Sequence, residues 1–103
     1  MELTSFVSLS QLKKARAKAR RHDSITVHDE VVDGLRIRVY VEGGRGYKTN
    51  MVSISKDGIS ISWDFIVEAE ITNKEAFTLK IENIVNDMIG SAQWKLMNQR
   101  YGE

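Results

Sequence analysis

Cysteine is absent from the sequence, and long apolar runs are absent as well. Without cysteine the chain has no disulfide framework and none of the common cysteine-based zinc sites. Its apolar runs are only a few residues long, far short of the roughly 20 residues that cross a bilayer. Residues 1–4 lack the basic region and the long apolar region of a secretory signal. These absences favour a cytoplasmic protein that has no membrane span.

Motifs of enzymes and of metal sites are missing too. His22 and His28 are the two histidines, and they lack the spacing of metal ligands. Residues 58–62 lack the second glycine of a nucleophile elbow. The loop 43–49 has Tyr47 where a phosphate-binding loop requires glycine. We therefore expect a protein that is not an enzyme and that holds no metal and no cofactor.

The size of the chain allows one modest core. It has 103 residues, of which 42% are hydrophobic. A chain of this length buries about 65% of its unfolded surface, so it needs no disulfide or metal to fold. No repeat, low-complexity tract or long linker divides it. The sequence predicts a single domain over residues 1–103.

The N-terminal third begins with a predicted helix over residues 9–22. Ser8 and Gln11 have the spacing of a capping box, in which each satisfies a free backbone donor of the other. The body is rich in Ala, Lys, Arg and Leu, which are strong helix formers. Leu12, Ala15 and Ala19 form a narrow apolar stripe, and basic residues occupy most of the remaining girth.

The middle of the chain alternates between apolar and polar residues, as strands with one buried face do. Asp33-Gly34 and Asp57-Gly58 are signals for tight hairpin turns. Asp29 and Glu30 interrupt the alternation and indicate a bulge. The pattern predicts a four-stranded antiparallel meander with strands at about 25–32, 35–42, 47–55 and 59–71.

The last element is predicted to be a long helix over residues 73–98. Thr72 and Glu75 have capping-box spacing, and an apolar stripe runs from Phe77 to Leu96 at helical spacing. Gly90-Ser91 would bend or end the helix. The predicted fold is α+β, with an N-terminal helix, the meander, and a long C-terminal helix packed on one sheet face.

The charge of the chain is divided between its ends. Residues 1–22 contain six basic residues and one acidic residue, for a net charge of +5. Residues 23–103 contain nine basic and thirteen acidic residues, for a net charge of −4. Such asymmetry is typical of a basic segment that meets a polyanion. It equally allows the segment to contact the acidic part of a second copy.

The basic helix supports our leading hypothesis, a small non-enzymatic protein that binds nucleic acid. Lys14 and Lys18 place like charges at i,i+4, which is mildly destabilising unless a polyanion neutralises them. Phosphate contacts would give affinity without sequence reading. The candidate residues are Lys13, Lys14, Arg16, Lys18, Arg20 and Arg21, with Arg45 and Lys48 of the glycine-rich loop, extended by Arg36 and Arg38 if these share the same side of the domain.

Two other interpretations stay open. A solvated, solubilising face explains the basic helix about as well as a polyanion does. Alternatively, the protein is an inhibitor or adaptor whose helix docks on an acidic or nucleic-acid-binding surface of a protein partner. Small chains without motifs resemble, in general style, the accessory proteins of phages and mobile elements, although no motif is shared.

Trp94 leads to a separate hypothesis about self-association. It lies off the apolar stripe of the last helix and, with Met97 and Tyr101, would form an apolar patch of the composition that interfaces favour. Such a patch predicts a homodimer with a self-interface. The equally favoured alternative is that Trp94 covers the end of the sheet within its own chain.

Overall fold

One helix, four strands and two further helices follow one another in the computed structural model. The structure describes residues 1–101, and the side chains of residues 1–99. The predicted class, mixed α+β with an antiparallel sheet, is confirmed. The elements are α1 (Leu9–Lys18), β1 (Ser24–Val32), β2 (Leu35–Gly43), β3 (Lys48–Lys56), β4 (Ile59–Phe65), α2 (Lys74–Gly90) and α3 (Ala92–Tyr101).

The four strands form one sheet in the order β1-β2-β3-β4, with antiparallel neighbours throughout. Asp33 and Gly34 have φ values of 51° and 79°, and Asp57 and Gly58 have 52° and 81°. Positive φ at both central residues is the requirement of a two-residue type I′ turn, whose twist matches the flanking strands. The two predicted tight turns are therefore confirmed.

The irregularity in β1 lies earlier than predicted. The pairing with β2 shifts register between Thr26 and His28, so that Val27 is the extra residue. Asp29 and Glu30, where the bulge was expected, pair regularly with β2. Glu30 lies on the covered face although it is polar, because its carboxylate is hydrogen-bonded there. Oε2 accepts from the Thr4 hydroxyl at 2.6 Å, and Oε1 lies 2.6 Å from the His28 Nε2.

One face of the sheet carries the core, and the three helices contact strands of the sheet. Ile37, Val39, Val52 and Ile54 are fully buried on this face. Helix α2 completes the core with its buried residues Phe77, Ile81, Val85 and Met88. Within the described residues no helix covers the opposite face, which carries the polar residues of each strand.

The N-terminal segment before α1 is hydrogen-bonded to helix α2. The Leu3 amide donates to Glu82 Oε2 at 2.7 Å, and the Val7 amide donates to Thr78 Oγ1 at 2.8 Å, both on α2. Ser8 caps α1, since its hydroxyl accepts from the Gln11 amide as the spacing predicted. These contacts connect the start of α1 to the core.

The predicted end of the first helix at residue 22 is wrong, because α1 ends at Lys18. Ala19 is already extended, with ψ 128°, and His22 has φ 72°. Arg20 and Asp23 close a turn through two bonds, from the Arg20 amide to Asp23 Oδ2 and from the Asp23 amide to the Arg20 carbonyl. These bonds replace the helical ones, so Arg20 and Arg21 lie on a turn.

The fourth strand also ends sooner than the predicted residue 71. Phe65 is the last residue of β4, and it pairs with Asn50. The chain then leaves the sheet and turns, since the Ile71 amide donates to the Glu68 carbonyl at 3.0 Å. The alternating apolar residues of 66–71 therefore belong to a connection that packs beside α1, not to a strand.

The predicted long C-terminal helix is two helices. Ser91, with ψ 150°, separates α2 from α3, and its hydroxyl donates to the Met88 carbonyl at 2.6 Å and accepts from the Trp94 amide at 3.2 Å. The N-cap of α2 is Asn73 instead of the predicted Thr72. Because α3 takes a new direction, Leu96 leaves the predicted buried stripe and is 63% exposed.

Candidate functional site

Helix α1 packs against the sheet through a narrow apolar face, as the sequence predicted. Leu12 and Ala15 are buried, and Ala19 just after the helix is buried as well. Small alanine side chains allow the helix to approach its support closely. The rest of the helix surface is largely exposed to solvent and includes the basic residues Lys13, Lys14 and Lys18.

Arg16 has a different role from its basic neighbours, because it joins α1 to β3. Its Nη1 donates to Asn50 Oδ1 at 2.7 Å and to the Lys48 carbonyl at 3.3 Å. The Lys48 ammonium donates back to the Arg16 carbonyl. Asn50 is buried and also donates through Nδ2 to the Phe65 carbonyl at 3.3 Å. The network fixes the position of α1 relative to the sheet.

The turn after α1 and the loop between β2 and β3 lie beside the end of this helix. The His22 amide donates to the Gly43 carbonyl at 3.1 Å, and the Gly43 amide donates to the Asp23 carbonyl at 2.9 Å. A groove of about 590 Å³ separates the helix end from the loop, whose Gly44 and Gly46 flank Arg45. The cations of α1, of the turn after it, and of the loop with the start of β3 are named the basic surface: Lys13, Lys14, Arg16, Lys18, Arg20, Arg21, Arg45 and Lys48. Direct hydrogen bonds join Arg16 and Lys48 among them.

Most charges of the basic surface have no counter-charge. Among residues 1–99, the ion pairs join His28 to Glu30, Arg36 to Asp29 and Lys80 to Glu68. None of these pairs, within that part of the chain, includes a residue of the basic surface. Their side chains are exposed, except that Arg16 is partly buried. The cations of this surface thus form no ion pair within the described side chains, although the Asp23 carboxylate lies in the same turn as Arg20.

Arg36 and Arg38 do not extend the basic surface, because the condition that they share its side of the domain is not met. They alternate along β2 with the buried Ile37 and Val39, and thus lie on the opposite sheet face. The Arg36 guanidinium lies 2.6 Å from the Asp29 carboxylate. Hydrogen bonds from Arg36 lower the pKa of that carboxyl, and the nearby positive charges act in the same direction.

Arg38 is engaged on that opposite face as well. It donates from Nε to Thr26 Oγ1 at 2.7 Å and from Nη2 to Ser24 Oγ at 3.0 Å. Its guanidinium lies 4.2 Å from the centre of the Tyr40 ring, the geometry of a cation–π contact. The arginines of β2 are therefore satisfied within the sheet.

A cleft that the sequence did not predict lies between α1 and the connection from β4 to α2. It has a volume of about 640 Å³ and is bordered by the start of β3 and the end of β4. Its walls come from three separate segments of the chain, residues 9–16, 48–50 and 64–72. The apolar pattern of 66–71 is the only local signal, and it favours a strand instead of a cleft wall.

Trp94 is covered by its own chain. It is 7% exposed and belongs to the core, and Met97 is partly buried against the same core. The expectation of an exposed patch around Trp94 is therefore wrong, and the alternative of a side chain that covers the sheet within its own chain is confirmed. The side chain of Tyr101 lies outside the described residues. The homodimer itself stays a prediction.

No group of three or more histidine, aspartate and glutamate side chains in the described part of the chain is arranged to hold a metal ion. No helix among the described residues combines the length and the apolar character that a membrane span requires. Neither a protein-family model, nor a curated protein, nor a solved structure matches this chain.

Proposed function

We propose that the protein binds nucleic acid through the basic surface, as a non-enzymatic binding module. Lysine and arginine side chains neutralise backbone phosphates, and the counterions released from the nucleic acid supply much of the free energy of binding. The observation that supports this most is the absence of ion-pair partners for these cations within residues 1–99. A bound polyanion would relieve the repulsion among them.

The rest of the chain shows what an ordinary solvated surface looks like in this protein. Arg36 is paired with Asp29 on the outer sheet face, and Lys80 is paired with Glu68 beside α2. Both signs of charge are mixed there, as on most protein surfaces. Lys56, Lys74 and Lys95 also form no ion pair within residues 1–99, but they are scattered, whereas six cations of the basic surface lie within residues 13–21. This contrast favours a polyanionic ligand over a merely solubilising face.

The chemistry of the surface favours affinity without sequence specificity. Arginine can read guanine edges from a helix in the major groove, but Arg16 on α1 is bonded to Asn50, and Arg20, Arg21 and Arg45 lie outside the helix on a turn and a loop. Lysine ammonium groups act as point charges toward phosphate. The exposed side of α1 carries Lys13, Lys14 and Lys18, with Gln11 as its one amide side chain. We therefore expect contacts to phosphates, with little discrimination between base sequences.

The test compares two pairs of charge reversals. Lys14→Glu with Arg20→Glu changes the basic surface, while Lys56→Glu with Lys95→Glu makes the same change in net charge at exposed positions elsewhere. Binding to a fluorescently labelled mixed-sequence duplex at low salt is measured by anisotropy. The first pair should weaken binding by tenfold or more, since about two phosphate contacts are lost, and the second by less than about twofold.

Two results would overturn the proposal. One is a wild-type protein that binds neither duplex nor single strands at low salt. The other is an equal loss in both pairs of variants, which would show that only the net charge matters. If, in addition, one stoichiometric protein co-purifies with the tagged chain after nuclease treatment, the basic surface binds an acidic protein and the protein is an adaptor or inhibitor.

A further inference from the structure

The cleft beside α1 has the size and the walls of a ligand site. Its volume of about 640 Å³ falls within the roughly 300–1,000 Å³ that small-molecule sites occupy. Apolar residues of α1 (Leu9, Leu12) and of the connection (Phe65, Ile66, Val67, Ile71) line it. Most of the accessible apolar surface comes from the connection, because Leu9 and Leu12 are only 6% and 1% exposed. Flat apolar groups are held well between such walls, because their burial removes apolar surface from water.

Three cations border the same cleft, and Arg16 is the best fixed of them. Nη1 of Arg16 makes two hydrogen bonds, to Asn50 and to the Lys48 carbonyl. Its Nε–H and both N–H groups of Nη2 have no acceptor among residues 1–99, and the guanidinium offers five donors in all. A guanidinium held in this way is preorganised for an anionic oxygen.

The acidic residues on the cleft do not cancel this charge. Glu68 lines the cleft but its Oε1 accepts from Lys80 Nζ at 2.7 Å. Asp64 is then the remaining carboxylate, against Lys13, Arg16 and Lys48. The cleft therefore combines apolar walls with a net positive rim, which suits a ligand that has an apolar body and one anionic group.

The rim of the cleft is continuous with the basic surface, since Lys13, Arg16 and Lys48 belong to both. We propose that the cleft holds one unstacked base of a single-stranded nucleic acid whose backbone phosphates lie on the basic surface. This inference rests on the proposed function and names its substrate class. Each nucleotide of a strand combines a flat base with one negatively charged phosphate. The base is available to a cleft only where it is not paired in a duplex.

Phosphate contacts alone cannot produce a preference for single strands. Duplex DNA has the higher density of charge and the steeper salt dependence, so a purely electrostatic surface binds it at least as well. Insertion of a base into the cleft adds binding free energy that a duplex cannot gain unless it unpairs. Tighter binding of a single strand than of its own duplex, lost on a change in the cleft, is therefore the signature of an occupied cleft, because stacking on the exposed Tyr47 would survive that change.

The experiment uses oligothymidine of about 12 nucleotides, alone and paired with oligodeoxyadenosine. Ile66 lines the cleft and is 75% exposed, so Ile66→Ser removes an apolar side chain from the cleft without disturbing the core. Leu96→Ser is the matched control, because Leu96 is 63% exposed and does not border the cleft. Thermal unfolding of each variant confirms that it folds. Thymidine monophosphate is tested as a competitor.

The wild type should bind the single strand about tenfold more tightly than the duplex. Ile66→Ser should lose most of this preference and keep its affinity for the duplex, while Leu96→Ser should behave as the wild type. Equal affinity for both forms, with no effect of Ile66→Ser, overturns this inference and leaves the proposed function standing. Loss of binding to both forms in the wild type overturns the proposed function itself. If thymidine monophosphate competes at the concentrations where the single strand binds, the cleft is a site for a free nucleotide, and the proposal that it holds a base of a strand is overturned.

Discussion

Nη1 of Arg16 donates to Oδ1 of Asn50 across a distance of 2.7 Å, and this bond holds the basic helix against the sheet. Arg16 belongs to α1 and Asn50 to β3, which are otherwise separated by 34 positions in the chain. The same asparagine donates to the Phe65 carbonyl, at the point where β4 ends and the wall of the cleft begins. One buried side chain thus positions both the basic surface and the cleft.

Replacement of Asn50 by alanine should destabilise the protein. Asn50 is 7% exposed and both ends of its amide are hydrogen-bonded, so its loss leaves the Phe65 carbonyl and the Arg16 guanidinium without this partner. We expect the free energy of unfolding to fall by about 1–3 kcal/mol, measured by urea denaturation. Asn86→Ala on the exposed side of α2 is the control and should not lower stability. Equal stability of both variants would contradict this role of Asn50.

Replacement of Gly43 by alanine should displace the turn that carries Arg20. A Cβ at Gly43 would lie 1.9 Å from the Arg20 carbonyl oxygen, which is backbone and cannot rotate away. We expect a clear loss of stability, together with weaker binding to nucleic acid because Arg20 and Arg21 move. Gly90→Ala is the control, since nothing lies within 4 Å of a Cβ there. Its stability should be unchanged or slightly higher. A Gly43→Ala protein with wild-type melting and binding would contradict the observed packing.

Acid should weaken the contact between the N-terminal segment and β1. Partial burial raises the pKa of Glu30, but hydrogen bonds from Thr4 and His28 outweigh it, so the pKa lies below its ordinary value of 4.5. A carboxyl with a lowered folded-state pKa stabilises the protein fully above pH 4.5, and this contribution is lost as the pH falls through the folded-state pKa. The free energy of unfolding should therefore fall more steeply below pH 4.5 in the wild type than in Glu30→Gln.

The measurement is chemical denaturation at a series of pH values, with Glu70→Gln as the control for removal of an exposed carboxylate. The stability difference between wild type and Glu30→Gln should be largest at neutral pH and should shrink on acidification. Glu70→Gln should follow the wild type throughout. A pH-independent difference for Glu30→Gln would show that its charge is not what Thr4 and His28 recognise.

Trp94 should matter for stability because it is part of the core of its own chain. It is 7% exposed and its loss would leave a large cavity between α3 and the sheet. We expect Trp94→Ala to lower the free energy of unfolding by about 3–5 kcal/mol. Leu96→Ala, at a position that is 63% exposed, should change it by less than about 0.5 kcal/mol. Sedimentation of the wild type checks the predicted homodimer separately, and a monomer at micromolar concentration would contradict it.

Local patterns in the sequence were sufficient for the elements whose cause is local. Asp33-Gly34 and Asp57-Gly58 specify turns because both residues of each pair adopt positive φ, which few other residues do easily. The cap at Ser8 and the apolar stripe of α1 were predictable for the same reason. Alternation along β2 also implied that Arg36 and Arg38 point away from Ile37, and therefore away from a helix that packs on the apolar face. That signal was present in the sequence and would have separated them from the basic surface.

The features that the sequence did not predict depend on distant partners. Arg20 and Arg21 favour helix by propensity, but hydrogen bonds between the turn and Gly43 end the helix before them. Residues 66–71 have a strand-like pattern, yet the pairing with β3 ends at Asn50 and Phe65. The cleft arises from this departure of the chain from the sheet. Its walls are distant in sequence, so no local pattern indicates them.

The central claim, that the basic surface binds backbone phosphates, is tested most directly by the salt dependence of binding to duplex DNA. The logarithm of the binding constant is plotted against the logarithm of the salt concentration, for the wild type and for Lys14→Gln with Arg20→Gln. Each phosphate contact contributes about −0.9 to the slope, so the wild type should show a steep negative slope. The double variant should be shallower by about 2, because two cations are removed. A flat wild-type slope, or an identical slope in the variant, would contradict the claim.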